Sequence, residues 1–180
     1  VAASVAATPA PSAIKAEITG KIKFEGDVPA RAKVDLSPDA KCHDMHGEAG
    51  MVVPGGILRS ASGGLKDVFV QLTSGVPEAK REAPASAVTI DQLGCTYDPH
   101  VLGVMKKQKI KIVNSDPTLH NIHAKPKSQK EFNIGMPDQG MEVEQEFKKV
   151  EEAIVINCDV HPWMQAFCFV MEHPYFGVSD

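Results

Sequence analysis

The chain has 180 residues, with 19 Lys+Arg against 23 Asp+Glu, a formal net charge of -4 and 43% hydrophobic residues. That is enough apolar matter for one domain, or two small ones in contact, and it argues against wholesale disorder. An acidic chain with no block of Lys and Arg lacks the basic face that nucleic acid requires, and no apolar run approaches the roughly 18 residues of a membrane span.

Residues 1–13 hold almost only small residues and proline, so they read as a flexible leader on the mature side of an export signal. The expected location is exported: periplasmic or otherwise extracytoplasmic. From Ile14 to Phe24 the even positions Ile14, Ala16, Ile18, Ile22 and Phe24 are apolar and the odd ones polar, with period two, predicting a strand with one face on a core. The same alternation predicts strands with Val68, Val70 and Leu72 inward, with Ile110 and Ile112 inward between lysines, and with Met141, Val143 and Phe147 inward between Glu142, Glu144 and Glu146. Ala153 to Ile156 and Phe167 to Met171 are apolar throughout and predict central strands covered on both faces.

Turn clusters separate these runs, at Pro54-Gly55-Gly56, Ser62-Gly63-Gly64, Ser115-Asp116-Pro117 and Pro137-Asp138-Gln139-Gly140. No long helical stripe appears; Glu78 to Ser86 allows a turn or two. Many short strands with Gly/Pro punctuation make the fold class all-β, a sandwich or barrel. The polar, Ala- and Pro-containing stretch from Pro77 to Ala87 divides an N-terminal β-module, 14–85, from a C-terminal β-domain, 86–180.

The chemistry concentrates in Cys158-Asp159-Val160-His161-Pro162-Trp163-Met164, which directly follows a predicted buried strand. A thiolate, an imidazole and a thioether in one short loop make a soft donor set. One Cys, two His and a weak axial Met form the type 1 copper arrangement, so this loop lacks only one imidazole. His120, beyond the end of the Ile110–Ile112 strand, is the candidate for it. Zinc is the chemical competitor, but a structural zinc takes four Cys/His ligands, whereas the fourth donor here is a thioether.

At these residues the sequence resembles the cupredoxins, the plastocyanin and amicyanin family of type 1 copper proteins. The resemblance runs over roughly Val88 to Asp180 and rests on Asn114, His120-Asn121 and the amicyanin-type spacing Cys-x2-His-Pro-x-Met. It implies a Greek-key β-sandwich with additional N-terminal strands and one mononuclear type 1 copper per chain. It makes His120, Cys158 and His161 the equatorial ligands and Met164 the axial one. Asn121 then ties the two ligand loops together beside the thiolate. The implied function is electron transfer between redox partner proteins, without enzymatic activity, with the loop His161 as the electron's exit. In the family that histidine can protonate and leave reduced copper at low pH. Two rival readings are a copper carrier or sequestering protein, and the electron-inlet domain of a copper enzyme. A purely structural β-module is a third.

With the copper thiolate set aside, Cys42 and Cys95 are expected to pair as a disulfide in an exported protein, joining the N-terminal module to the C-terminal domain. Cys168 alternates with Phe167 and Phe169 and reads as a buried apolar residue. The cluster Cys42-His43-Asp44-Met45-His46 reads either as a second copper site or as a surface loop anchored by that disulfide. His123 flanks the first site, and His100 could share its pole of the fold. Met136 reads as packing. Trp163 is either core filler or part of an apolar docking patch. The alternating glutamates are a solvated face first and a steering acidic patch second.

Overall fold

The computed structural model describes residues 17–52, 55–78 and 80–180. The leader and the start of the strand expected from Ile14 lie outside the described residues.

Nine strands after residue 87 build two facing sheets. β4 (Val88–Gln92), β5 (Tyr97–Asp98), β7 (Lys109–Asn114) and β10 (Glu142–Glu146) form one, in the order β10-β7-β4-β5. β6 (Val101–Met105), β8 (His120–Lys125), β9 (Phe132–Met136), β11 (Glu151–Asn157) and β12 (Gln165–Met171) form the other, in the order β6-β12-β11-β8-β9. The β4–β7 and β6–β12 pairings are parallel and the rest antiparallel. This is the all-β sandwich that the period-two patterning dictates: Ile90, Ile110 and Ile112 from one sheet meet Ile122, Ile154, Ile156 and Val170 from the other, with Phe147 buried beside them. Each such side chain contributes roughly 1.5–3 kcal/mol on leaving water. On the outer face of β7 the lysines pair across the ladder, Lys111 with Glu142 at 2.7 Å and Lys109 with Glu146 at 3.0 Å. Two of the three alternating glutamates are therefore neutralised by partners on the adjacent strand.

The chain before β4 adds small elements that lie on the sandwich. β1 (Lys33–Val34) pairs with β2 (Met51–Val52), and between them α1 (Ala40–His46) starts at Asp39, whose Oδ1 accepts the Cys42 N–H at 2.8 Å. A helix of seven residues is too short to stand alone. It is held by the Cys42–Cys95 disulfide and by a small cluster of Leu36, Cys42, Met51 and Cys95 against Val34 and Trp163. β3 (Phe69–Gln71) pairs with β13 (Phe176–Val178), and this ribbon covers the outside of the five-stranded sheet. There Phe69 stacks on Phe169 with ring centroids 4.0 Å apart.

Four expectations are corrected. Among residues 17–24 only Lys23 forms a β-bridge, to Gly64; Ile18 is 85% exposed while Ile22 and Phe24 are half-buried, so the alternating pattern is present without a strand. In β3 the phase is reversed, with Val70 outward and Phe69 inward, because the phenyl ring has a flat aromatic surface to stack on. In β11 the register shifts between Glu151 and Ile154, and Ala153 takes a φ of 53° and faces solvent, so the apolar run is not covered on both faces throughout. No helix occurs among the described residues of 78–86, whereas α1 carried no periodic signal.

Candidate metal centre

Two loops at one pole carry the predicted residues. β7 ends at Asn114, whose Nδ2 donates to Thr118 O and Met136 O and whose Oδ1 accepts the Asp116 N–H. Those bonds fold the 115–119 turn so that His120 opens β8 as its first residue, paired with Met136, rather than lying in the turn. The second loop joins β11 to β12. It closes on itself through Cys158 N–H to Met164 O at 3.2 Å and Met164 N–H to His161 O at 2.9 Å.

His120, Cys158 and His161 converge, each burying all but 3% or less of its surface, with one donor atom from each within 4.8 Å of the others. His161 Nδ1 lies 2.9 Å from His120 Nδ1 and 3.7 Å from Cys158 Sγ. The far side of each ring is occupied by a carboxylate: His120 Nε2 donates to Asp116 Oδ2 at 2.9 Å, and His161 Nε2 donates to Asp39 Oδ2 at 3.1 Å. An ionised carboxylate only accepts, so both rings carry their proton on Nε2 and present Nδ1 inward. Two inward nitrogen lone pairs and a sulfur at these distances repel unless a cation, a proton or a metal ion, sits among them. A soft thiolate with two imidazoles and the buried Met164 thioether in the same loop fits copper by donor chemistry.

The charges follow the same logic. Burial would raise the Cys158 thiol, but hydrogen bonding to His120 and His161 outweighs it and brings it down to about 6. Burial would lower His120, but Asp116 and Cys158 outweigh it and hold it up at about 9. Asp116 and Asp39 both stay below the ordinary carboxylate value: the cost of burial is exceeded by His120 and backbone N–H groups for Asp116, and by the Cys42 N–H and His161 for Asp39.

Asn121 stands between the two loops. Its Oδ1 is 3.2 Å from Cys158 Sγ and accepts the Asp159 N–H at 2.6 Å, so one amide spans the two loops. Tyr97 Oη donates to the Asn121 carbonyl at 2.5 Å from the opposite sheet. Met164 is fully buried in the same cluster as Cys158. His123 faces outward to Asp159 at 3.0 Å, and His100 Nδ1 bonds Gln165 O at 2.8 Å, so neither joins the group. Met136 Sδ accepts from Gln92 Nε2. The disulfide occupies Cys42 and removes its thiolate from the cluster Cys42-His43-Asp44-Met45-His46; His46 Nε2 bonds Gly94 O. Trp163 donates to Cys95 O at 3.0 Å and lies against the His161 ring, centroids 5.2 Å apart.

One expectation about the site is overturned. An exposed loop His161 is expected beside Trp163, but the ring is 1% exposed, with Asp39 over its outer nitrogen. Sequence reasoning missed both carboxylates. Asp116 had a local signal, standing four residues before His120 in a turn. Asp39 had none, being 122 positions from His161.

The sequence matches no known family model and no curated protein. Among solved structures it is similar to the Cu(I) form of an amicyanin variant, with 20% identity and a TM-score of 0.43, over 59% of this chain and 99% of that one. It is similar to a purple cupredoxin from Nitrosopumilus maritimus, with 21% identity and a TM-score of 0.41, over 47% of this chain and 99% of that one. It is also similar to a copper-containing nitrite reductase from Thermus scotoductus SA-01, with 21% identity and a TM-score of 0.42 over 58% of this chain, but it spans only 26% of that enzyme's chain. The fold is an all-β sandwich of a four-stranded and a five-stranded sheet.

Proposed function

We propose that this protein is an extracytoplasmic electron carrier, without enzymatic activity of its own, that holds one type 1 copper ion through His120, Cys158, His161 and Met164. The observation that carries the reading is the buried convergence of two imidazole Nδ1 atoms on the Cys158 sulfur. When bound, copper supplies a one-electron couple between Cu(I) and Cu(II). The chain's own residues do the rest. Asp116 and Asp39 fix the rings with Nδ1 inward, Asn121 keeps the two loops together, and the buried surroundings exclude water. A donor set held this firmly changes little between oxidation states, which keeps reorganisation small. The disulfide supports an oxidising compartment such as the periplasm, and among the described residues no helix is long and apolar enough to cross a membrane. The partners would be donor and acceptor redox proteins.

The test is a visible spectrum of the protein with added Cu(II), alongside Cys158→Ser. An intense thiolate-to-copper band at about one copper per chain, absent from the variant, is expected. A colourless wild type would refute the reading in favour of zinc or a structural role. Turnover of oxygen or nitrite would move the protein to the enzyme reading.

A further inference from the structure

We propose that residues 36–46 are a cap over the His161 edge of the metal centre, locked by Cys42–Cys95, and that Asp39 is a positioning residue holding the His161 ring in its inward orientation. This rests on the copper reading above, which makes His161 a ligand. The starting observation is a burial that the sandwich itself does not explain: His161 belongs to a loop at the pole yet is 1% exposed. What covers its outer nitrogen is Asp39, at 3.1 Å, from outside the sandwich.

The cap is built so that few movements release it. Asp39 divides its two oxygens: Oδ1 caps α1 through the Cys42 N–H at 2.8 Å, and Oδ2 takes His161 Nε2. Helix position and ring position are therefore set by one carboxylate. Thr118, in the loop before His120, donates to the same Oδ2 at 3.4 Å. The same first turn of α1 is pinned covalently to Cys95 through Cys42, and the end of the helix is pinned by His46 to Gly94 O at 2.9 Å. The N–H groups of Gly94 and Cys95 are in turn held by Asp116, the carboxylate behind His120. The chain of contacts is thus closed: His120, Asp116, Cys95, Cys42, Asp39, His161. Trp163 seals the inner side by donating to Cys95 O while its ring lies against His161. A redox partner approaching this side of the pole meets the cap instead of a bare imidazole. A bound ion can leave by this edge only if the His161 ring swings out, which breaks the Asp39 bond first.

Three forms of the full chain test this: wild type, Asp39→Ser, and the pair Cys42→Ser/Cys95→Ser. Serine is a good helix N-cap, so Asp39→Ser preserves α1, but its shorter side chain has one oxygen and does not reach His161. For copper-loaded protein, the rate of Cu(I) transfer to a chelator is expected to rise about 10- to 100-fold in both variants. For copper-free protein, carbethoxylation of His161 by diethyl pyrocarbonate, read by peptide mass spectrometry, is expected to be slow in wild type and fast in both variants, with the exposed His43 as internal reference. Imidazole nitrogen NMR should show His161 protonated on Nε2 in wild type and a tautomer mixture in Asp39→Ser, a change that a merely structural role for Asp39 would not produce.

Wild-type His161 modified as fast as His43 overturns the cap. Asp39→Ser with wild-type transfer rate and wild-type tautomer overturns the positioning role. If the cysteine pair fails to give a cooperative melt, Asp39→Ser alone decides. If copper does not bind while His161 is shielded in wild type and reactive in the variants, the cap stands and the copper reading falls.

Discussion

Removing the Asp116 carboxylate should cost about as much as truncating a large buried core side chain. The group is 1% exposed and serves three donors: the Cys95 N–H at 2.7 Å, the Gly94 N–H at 2.8 Å and His120 Nε2 at 2.9 Å. Gly94 and Cys95 have φ of 65° and 53°, two successive left-handed residues whose amides point at one anion. For Cys95, which has a Cβ, that conformation costs roughly 1–2 kcal/mol and persists because the carboxylate and the disulfide hold it. Asp116→Ala leaves two buried donors and a half-buried one without an acceptor at about 1–3 kcal/mol each, so even with a water entering the space the loss should be about 3–5 kcal/mol. That is a large part of the ~5–15 kcal/mol by which a domain is stable. Asp116→Asn keeps one acceptor, turns an NH2 toward a donor and loses the charge; about 2–3 kcal/mol is expected. Urea unfolding of the copper-free variants measures both, at constant m. In the loaded protein, loss of the restraint on the His120 ring should weaken copper by about 10- to 100-fold. Asp116→Ala within about 1 kcal/mol of wild type would refute the reasoning, since the three donors would then have found other partners.

Two further predictions concern the frame. A Cβ at Gly103 would stand 2.5 Å from Phe176 and 2.8 Å from Phe69, so Gly103→Ala should force the β3–β13 ribbon off the sheet at a cost of about 1–3 kcal/mol, read as a lower melting temperature and altered Phe69 ring resonances. Glu151 accepts from the Lys127 and Ser128 amides, the Ser128 hydroxyl and Gln129. Burial would raise its carboxyl, but the Ser128 hydroxyl and the Lys127 and Ser128 amides together outweigh this and place it below its ordinary value. Its contribution is therefore complete above the ordinary glutamate value and lost as pH falls through the depressed one. At pH 7, Glu151→Gln should cost about 1 kcal/mol and loosen residues 127–129, with the difference from wild type vanishing in acid; an equal difference at pH 7 and pH 3 would contradict this.

How far the sequence could be read depended on the range of the interaction. The inward faces of β7 and β10 were legible because alternation is a local property: Ile110 and Ile112 land on the core, and the intervening lysines meet glutamates one strand away. Alternation marks two faces without saying which meets the core, so β3 was read in the wrong phase until Phe169 supplied a stacking surface. For the same reason residues 17–24 carry a strand pattern without a strand. The Cys158–Met164 loop was legible because three soft donors in seven residues following a buried strand are rare in apolar packing.

The local order of residues thus determined strand periods, turn positions and the chemical character of the donors, each written within a few residues of itself. Only the tertiary structure decided that His120 meets His161 nitrogen to nitrogen, that Asp116 and Asp39 stand behind the two rings, and that His161 is covered. Those facts depend on where a seven-residue helix, bound by a disulfide to a turn 53 residues later in the chain, comes to rest against the sandwich. No periodicity encodes that placement, because it is the sum of packing, one covalent bond and two shared carboxylates acting across the whole length of the chain.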